Sequence, residues 1–364
     1  MNAHRSTDED RIRTRPCVRC PVCGSPGVVF YRDLKDAFFG VPGSWSSRKC
    51  SNPKCRLVWL DPMPVKEDSP KAYRNYFTHH GSASARWIEK AEQSGDAGQR
   101  LYRLVKKGYH RNRYGYHRGA VEGWKRAIGY LAYIHPGWRA TLDSGILYLP
   151  AVPGGRLLEI GSGGGQQLKI MHDLGWDAQG VDLDPDAKKN AESKGMKVSL
   201  GELEEQHFPD NYFDAVISNH VIEHVYEPES LMREVHRILK PSGRLVFITP
   251  NIESWGQRVF KNADLMFMDS PRHLYVFAAP SLRQLAVRSG FKKAKVLTTI
   301  RHASSLYLSD RAISRTGHYE AGEHIPFKDR LGAKGLQIME WSALKLNPAA
   351  GEEIILIGEK GLGQ

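Results

Sequence analysis

The chain has 364 residues, 41% of them hydrophobic and 25% charged, the balance of a globular protein with room for one large domain or two. Its opening, MNAHRSTDEDRIRTR, has no apolar segment and no stretch approaches the ~18 uninterrupted apolar residues of a membrane span, so neither a secretory leader nor a transmembrane helix is expected. The formal charge of +12 lies wholly in residues 1–150, where 26 Lys and Arg face 13 Asp and Glu; residues 151–364 hold 26 against 27. Something anionic is therefore expected to meet the first part: a phosphorylated small molecule, a nucleic acid or a membrane surface.

Residues 1–65 are short of helical pattern, punctuated by Pro and Cys, and suited to β-hairpins. The five cysteines crowd into residues 17–55, which favours a reducing, cytoplasmic setting over a disulfide framework. Cys20-x2-Cys23 in CPVCG and Cys50-x4-Cys55 in KCSNPKC supply four thiolates in two pairs, the donor set of a closed structural Zn2+ site in a zinc ribbon. Cys17 overlaps the first pair and either substitutes for one of its members or is a spare thiol.

Residues 66–150 form a second region, basic and aromatic, centred on YRLVKKGYHRNRYGYHRGAVEGWKRAIGYLAYIHPGW. Leu101, Leu104, Val105 and Tyr109 recur at helical spacing, so helices are expected, interrupted at Gly108, Gly115 and Pro136. Tyr102, Tyr109 and Trp124 either pack a core or stack on a ligand. The region reads as a helical cap that holds an anionic acceptor, with contact to an anionic membrane as a compatible variant.

From 151 to 364 strand and helix alternate. RLLEI (156–160), AQGVDL (178–183), MKVSLGE, FDAVISNH (213–220) and GRLVFITP (243–250) read as strands. QQLKIMHDLG, PDAKKNAESKG and EPESLMREVHRIL read as helices, the last stopped by Lys-Pro-Ser-Gly. A further helix, SLRQLAVRSGF, and two closing strands, KVLTTI and EEIILIGEK, follow, with an insert near 251–280. This alternation predicts an α/β fold: a Rossmann-like, doubly wound and mostly parallel sheet.

Between the first strand and its helix stands Gly161-Ser162-Gly163-Gly164-Gly165. A bare loop there brings backbone close to a ligand beyond the carboxyl ends of the strands. Gln166 replaces the last glycine of a dinucleotide fingerprint. Glu159 precedes the loop, and Asp182 ends the next strand, placed to accept both hydroxyls of a ribose.

The stretches LLEIGSGGG, GVDLDPDAKKNAE, FDAVISNHVIEHVYEPESLMREVHRILKPSGRLVFITPN and PRHLYVFAAPSLRQLAVRSGF resemble class I S-adenosylmethionine-dependent methyltransferases. That resemblance implies S-adenosyl-L-methionine as cofactor. It implies that Gly161, Ser162, Gly163 and Gly165 approach its methionine part, Glu159 orients its ammonium and Asp182 with Leu183 holds its ribose. Glu202 and Leu203 would flank the adenine, and Asn219 and His220 the methionine side.

Transfer of a methyl group to a hydroxyl needs alignment and a base, and histidine suits that work near neutrality. His273 in DSPRHLYVF is the preferred base and His224 in HVIEHV the second; both match motifs of ubiquinone-pathway O-methyltransferases and bacterial glycan-modifying relatives. Glu223 orients His224 or caps a helix. His220, Glu223 and His224 also resemble a metal triad, but those relatives usually carry an acid at the position of His220, which speaks against magnesium. Asn251 is a polar group for the acceptor or a cap. The ribbon, DPMP and the Tyr-rich AYRNYF resemble sugar and glycan methyltransferases.

The expected function is therefore methylation of a sugar, nucleotide sugar or polyprenyl-linked glycan, in the cytoplasm or peripheral to the inner face of the membrane. The alternatives are an RNA methyltransferase, whose ribbon and basic cap grip phosphates, and a zinc-ribbon binding protein without catalysis. Against RNA base methylation, the fourth strand ends in NHVIEH where an Asn/Asp-Pro-Pro-aromatic tetrapeptide would be expected.

Overall fold

A computed structural model describes residues 11–36, 38–74, 97–117, 119–134, 136–260, 267–316 and 325–362. The strands, in chain order, are β1 (Thr14–Arg15), β2 (Gly27–Leu34), β3 (Trp45–Cys50), β4 (Val58–Leu60), β5 (Met63–Pro64), β6 (Arg156–Ile160) and β7 (Asp177–Asp182). They continue with β8 (Lys197–Leu200), β9 (Phe213–Asn219), β10 (Leu239–Pro250), β11 (Tyr275–Val276), β12 (Lys293–Thr299) and β13 (Glu353–Glu359). The central sheet has the order β12-β13-β10-β9-β6-β7-β8, and its β9, β6, β7 and β8 are parallel. The expected Rossmann-like α/β architecture is thus present. No helix among the described residues is long and apolar enough to cross a membrane.

The chain divides into two compact units. One comprises residues 77–219, 233–247 and 357–364. Here Leu158 of β6 lies opposite Gln179 of β7 and Val216 of β9. Leu157, Leu158, Val181, Phe213 and Val216 are buried, as expected of strands covered on both faces. The helix Gln166–Asp173 follows the glycine loop, and Pro185–Glu192 starts with Pro185 behind Asp184, whose side chain accepts from the Asp186 amide at 2.9 Å.

The basic region of this unit folds as helices Ala97–Tyr114, Trp124–Ile128 and Pro136–Gly145. Gly108 does not interrupt the first. It lies mid-helix, where a Cβ would stand 2.6 Å from the Lys125 carbonyl oxygen and 2.8 Å from the Gly129 nitrogen. The missing side chain serves close packing of helix on helix. Gly115, at φ +81°, ends that helix as expected, whereas Pro136 opens a helix. Tyr109 is buried and donates to Asp143 Oδ1 at 2.5 Å, with Tyr114 donating to the same oxygen at 2.7 Å. Trp124, by contrast, is 63% exposed.

The other unit comprises residues 1–76, 220–232 and 248–356. Its antiparallel sheet runs β11-β4-β3-β2. Tyr275 of β11 lies opposite Trp59 of β4, which joins the insert to the N-terminal hairpins. Trp45, Val58, Leu60, Ile252, Phe267, Met268, Val276 and Leu306 form its core. The second half of AYRNYF, from Asn75 onward, and residues 261–266 of the insert lie outside the described residues.

Two elements differ from expectation. Lys-Pro-Ser-Gly does not merely stop the helix Pro228–Ile238; β10 already begins at Leu239. The Ser242 amide donates to the Lys360 carbonyl at 2.9 Å and the Lys360 amide to that of Gly243 at 3.0 Å, so pairing holds these residues extended. Helices Ala303–Thr316 and Phe327–Leu346 were not expected at all. In the second, Leu331, Ile338 and Met339 are exposed while Asp329 and Glu340 are buried, which inverts the pattern that marks a helix in a sequence. The Arg315 guanidinium holds Asp329 at 2.6 Å.

Candidate functional site

The glycine loop and its carboxylates lie in the first unit. Gly161, Gly163 and Gly165 all have positive φ, at +69°, +49° and +74°, a region costly to any residue with a Cβ. The Gly161 amide donates to the Val181 carbonyl at 2.8 Å and that of Gly163 to Asp182 Oδ2 at 2.7 Å, so β7 holds the loop open. The other Asp182 oxygen accepts from the Asp184 amide at 2.9 Å. A Cβ on Gly163 would meet nothing within 4 Å, so its backbone borders open space.

Glu159 is buried, and among the described residues its Oε2 has no hydrogen-bond partner; the buried Ser162 Oγ and Asn219 Oδ1 likewise have none among those residues. Burial, and then the charge of Asp182, holds the Glu159 carboxyl well above the usual range, and burial raises Asp182 as well. A buried carboxyl with an oxygen left without a partner, next to a second carboxylate and an open stretch of backbone, fits a cationic amino-acid end and a ribose. Leu183 is exposed and Leu203 buried. The Glu202 amide donates to Glu205 Oε2 at 2.9 Å.

The other unit gathers the histidines. His220 stands at φ +55°, in the left-handed region. Its Nδ1 is 3.2 Å from Glu223 Oε1 and its Nε2 2.7 Å from Glu353 Oε1. Burial opposes the imidazolium, but the hydrogen bonds to Glu223 and Glu353 prevail and push its pKa up to about 10. Glu223, wholly buried, is brought down to about 2, because the hydrogen bond and charge of His220 outweigh burial. Glu223 Oε2 accepts from Thr249 Oγ1 at 3.0 Å, so its hydrogen bonds run to His220 and Thr249.

His224 and His273 lie with ring centres 4.7 Å apart, edge to face. His224 Nδ1 is 3.0 Å from the Arg272 carbonyl and 3.0 Å from the Tyr73 hydroxyl; burial, then the charge of His273, lowers its pKa to about 4. His273 is buried, and its Nδ1 is 2.7 Å from the Phe267 carbonyl. A carbonyl only accepts, so Nδ1 carries a proton, while Nε2 lies 4.0 Å from Asp269 Oδ2. The neighbouring Arg272, wholly buried, donates to Asp36 Oδ2 at 2.8 Å and to Asp269 Oδ1 at 2.6 Å, and lies over the Phe39 ring. This pairing fixes the turn that presents His273.

A cavity of about 220 Å³ is lined by His220, Phe267, His273, His302, Glu352 and Glu353 among others. His302 and Glu353 escaped sequence reading, His302 because it sits outside any motif and Glu353 because it opens an apolar strand. Asn251 is wholly buried, donates to the Ala349 and Gly351 carbonyls at 2.8 and 2.7 Å, and accepts from the Glu253 amide. Those bonds use up its polar groups and make it a structural clasp.

Cys20, Cys23, Cys50 and Cys55 bring their sulfurs within 4.8 Å of one another, with 3.6 Å between Cys20 and Cys55 and 3.4 Å between Cys23 and Cys50. Tetrahedral zinc with bonds of ~2.3 Å sets sulfurs roughly 3.8 Å apart, so the donor set fits that ion. Cys17 stands apart: its amide donates to Asp61 Oδ1 at 2.6 Å, and its carbonyl accepts from the Trp59 indole.

Residues 134–296 match a family model described as a methyltransferase domain. An uncharacterised protein of Methanocaldococcus jannaschii is 29% identical over 151 residues, covering 41% of this chain and 70% of that protein. The ubiquinone biosynthesis O-methyltransferase of Ruegeria pomeroyi is 36% identical over 108 residues, 26% of this chain, and that of Xanthomonas oryzae pv. oryzae 34% over 105, 27% of this chain. Those alignments span 41% and 44% of the relatives' own lengths, less than half of each. Among solved structures, an S-adenosylmethionine-dependent methyltransferase of Mesorhizobium loti gives a TM-score of 0.41 at 18% identity, over 61% of this chain and 98% of that one. The family match thus places a methyltransferase domain over residues 134–296, the stretch that carries the glycine loop and its paired carboxylates.

Proposed function

We propose that the chain methylates a hydroxyl of a sugar, a nucleotide sugar or a lipid-linked glycan, with S-adenosyl-L-methionine as donor. The observation that carries the reading is the buried Glu159 Oε2, without a partner among the described residues, beside the open glycine loop, with Asp182 on the next strand. In this reading Glu159 takes the cofactor's ammonium, Asp182 the ribose, and Asn219 the methionine side. The bound cofactor supplies a methyl group on a cationic sulfur, open to in-line displacement by an acceptor oxygen. His273 is the proposed base. Its Nδ1 proton is committed to the Phe267 carbonyl, which leaves Nε2 to take the proton from the acceptor hydroxyl.

The cap supports an anionic acceptor: Trp124 and Tyr130 are 63% and 60% exposed, and Lys125 and Arg126 stand beside Trp124 in the same helix. Exposed aromatic and cationic side chains together suit a diphosphate-linked sugar or an anionic membrane. The four thiolates hold a structural zinc in this reading. The test is transfer of a labelled methyl group from the cofactor to a panel of nucleotide sugars, lipid-linked glycans and RNA. Label in a sugar hydroxyl is expected; label in RNA alone, or no cofactor binding in calorimetry, overturns the reading.

A further inference from the structure

His220, His302 and Glu353 come from three separate parts of one unit: the turn after β9, the turn before helix Ala303–Thr316, and the first residue of β13. Their nitrogen and oxygen ligand atoms nevertheless all lie within 4.8 Å of one another, on the wall of the 220 Å³ cavity. Glu353 Oε1 is 2.7 Å from His220 Nε2 and 3.4 Å from His302 Nε2. Ligands around an ion with bonds of ~2.1 Å stand roughly 3.0–3.4 Å apart, so small side-chain shifts would complete a coordination shell.

We propose that His220 Nε2, His302 Nε2 and the Glu353 carboxylate bind a divalent first-row transition-metal cation, separate from the cysteine site. Two imidazoles and one carboxylate are the donor set such ions take, and the cavity leaves further positions for water or a ligand oxygen. The surroundings are those of a metal-bound histidine. His220 Nδ1 faces Glu223 Oε1, and Glu223 is itself held by Thr249, which directs Nε2 toward the ion and raises its basicity. The left-handed backbone of His220 is the strain expected where a side chain must point one way.

A second observation is independent of the clustering. The Glu353 side chain is 3% exposed, and among the described residues its Oε2 has no hydrogen-bond partner, a buried anionic atom for which a cation is the natural complement. His220, Glu223 and His224, which lie close in sequence, are not such a group; Glu223 and His224 instead converge with His273, where His224 Nδ1 already faces the Arg272 carbonyl and the Tyr73 hydroxyl. The proposed binding does not depend on which acceptor is methylated and is read without turnover.

The probe is Mn2+, which thiolates disfavour, titrated into the full chain with zinc already in its cysteine site and followed by loss of the free-ion paramagnetic resonance signal. One equivalent is expected to bind. His302→Ala, at a side chain 44% exposed, and Glu353→Gln should each weaken binding by roughly 10-fold or more, with zinc content and circular dichroism unchanged. Absence of stoichiometric Mn2+ binding overturns the proposal, as does binding that is the same in both variants.

Discussion

The Gly163 amide donates to Asp182 Oδ2 over 2.7 Å, so the carboxylate proposed to hold the ribose also shapes the glycine loop. Asp182→Ala removes a charged acceptor and frees that amide. Cofactor affinity in titration calorimetry is expected to fall by about 1–3 kcal/mol, the cost of leaving a charge-assisted hydrogen bond unmade. Unaltered affinity would dismiss Asp182 from the site.

His273→Ala should lower turnover by roughly 10²–10⁴-fold while cofactor affinity stays the same, the mark of a lost base. His224 is the rival. Its neutral form is favoured by burial, and its Nδ1 faces the Arg272 carbonyl, which in the neutral ring leaves the lone pair on Nε2. Should His273→Ala stay active and His224→Ala lose turnover, the two exchange roles.

Purified protein is expected to hold about one zinc per chain at the cysteine site. Cys55→Ser should lose the ion and, with it, resistance of the ribbon to proteolysis, since the thiolates tie β3 to the turn that carries Cys20 and Cys23. Cys17→Ser should keep both. Zinc lost equally from the two variants would place Cys17 among the ligands.

Gly108→Ala separates packing from propensity. Alanine is the better helix former by about 1 kcal/mol, so on the helix Ala97–Tyr114 alone the change would stabilise. The added Cβ would instead press on the Lys125 carbonyl and the Gly129 nitrogen, both backbone atoms with little room to yield. A net loss of about 1–3 kcal/mol is expected in urea unfolding. A gain in stability would mean that the two helices do not meet there.

The same glycine shows where sequence reading succeeds and fails. Gly161 to Gly165 are legible because strand, bare loop and acid fall at fixed local spacing, and backbone conformation is a local matter. Gly108 was misread because its neighbour, Gly129, is 21 positions away and only the fold shows the contact. Cys20, Cys23, Cys50 and Cys55 were legible because thiolate pairs have few other uses. His302 and Glu353 were not, because their partner His220 lies far along the chain. The helix Phe327–Leu346 hid behind exposed Leu331 and Met339 and buried Glu340, a reversal of the usual amphipathic stripe.

The Glu223–His220–Glu353 bridge makes stability depend on pH when metal is absent. The His220 pKa in the folded chain, about 10, exceeds its ordinary 6.5, so folding favours the imidazolium. That contribution is complete below about 6.5 and disappears as pH rises through 10. Glu223 and Glu353 run the other way: both fall from 4.5 to about 2, so their contribution is complete above 4.5 and is lost as pH drops through 2. Burial lowers the His302 pKa from its ordinary 6.5, so that imidazole is neutral above pH 6.5. With a chelator present, wild-type stability in urea should therefore decline between about pH 6.5 and 10. His220→Gln, which leaves two buried carboxylates without a cation, should be less stable near pH 6 by a margin that narrows as the pH rises. Parallel curves for the two proteins would show that His220 carries no extra proton in the folded state.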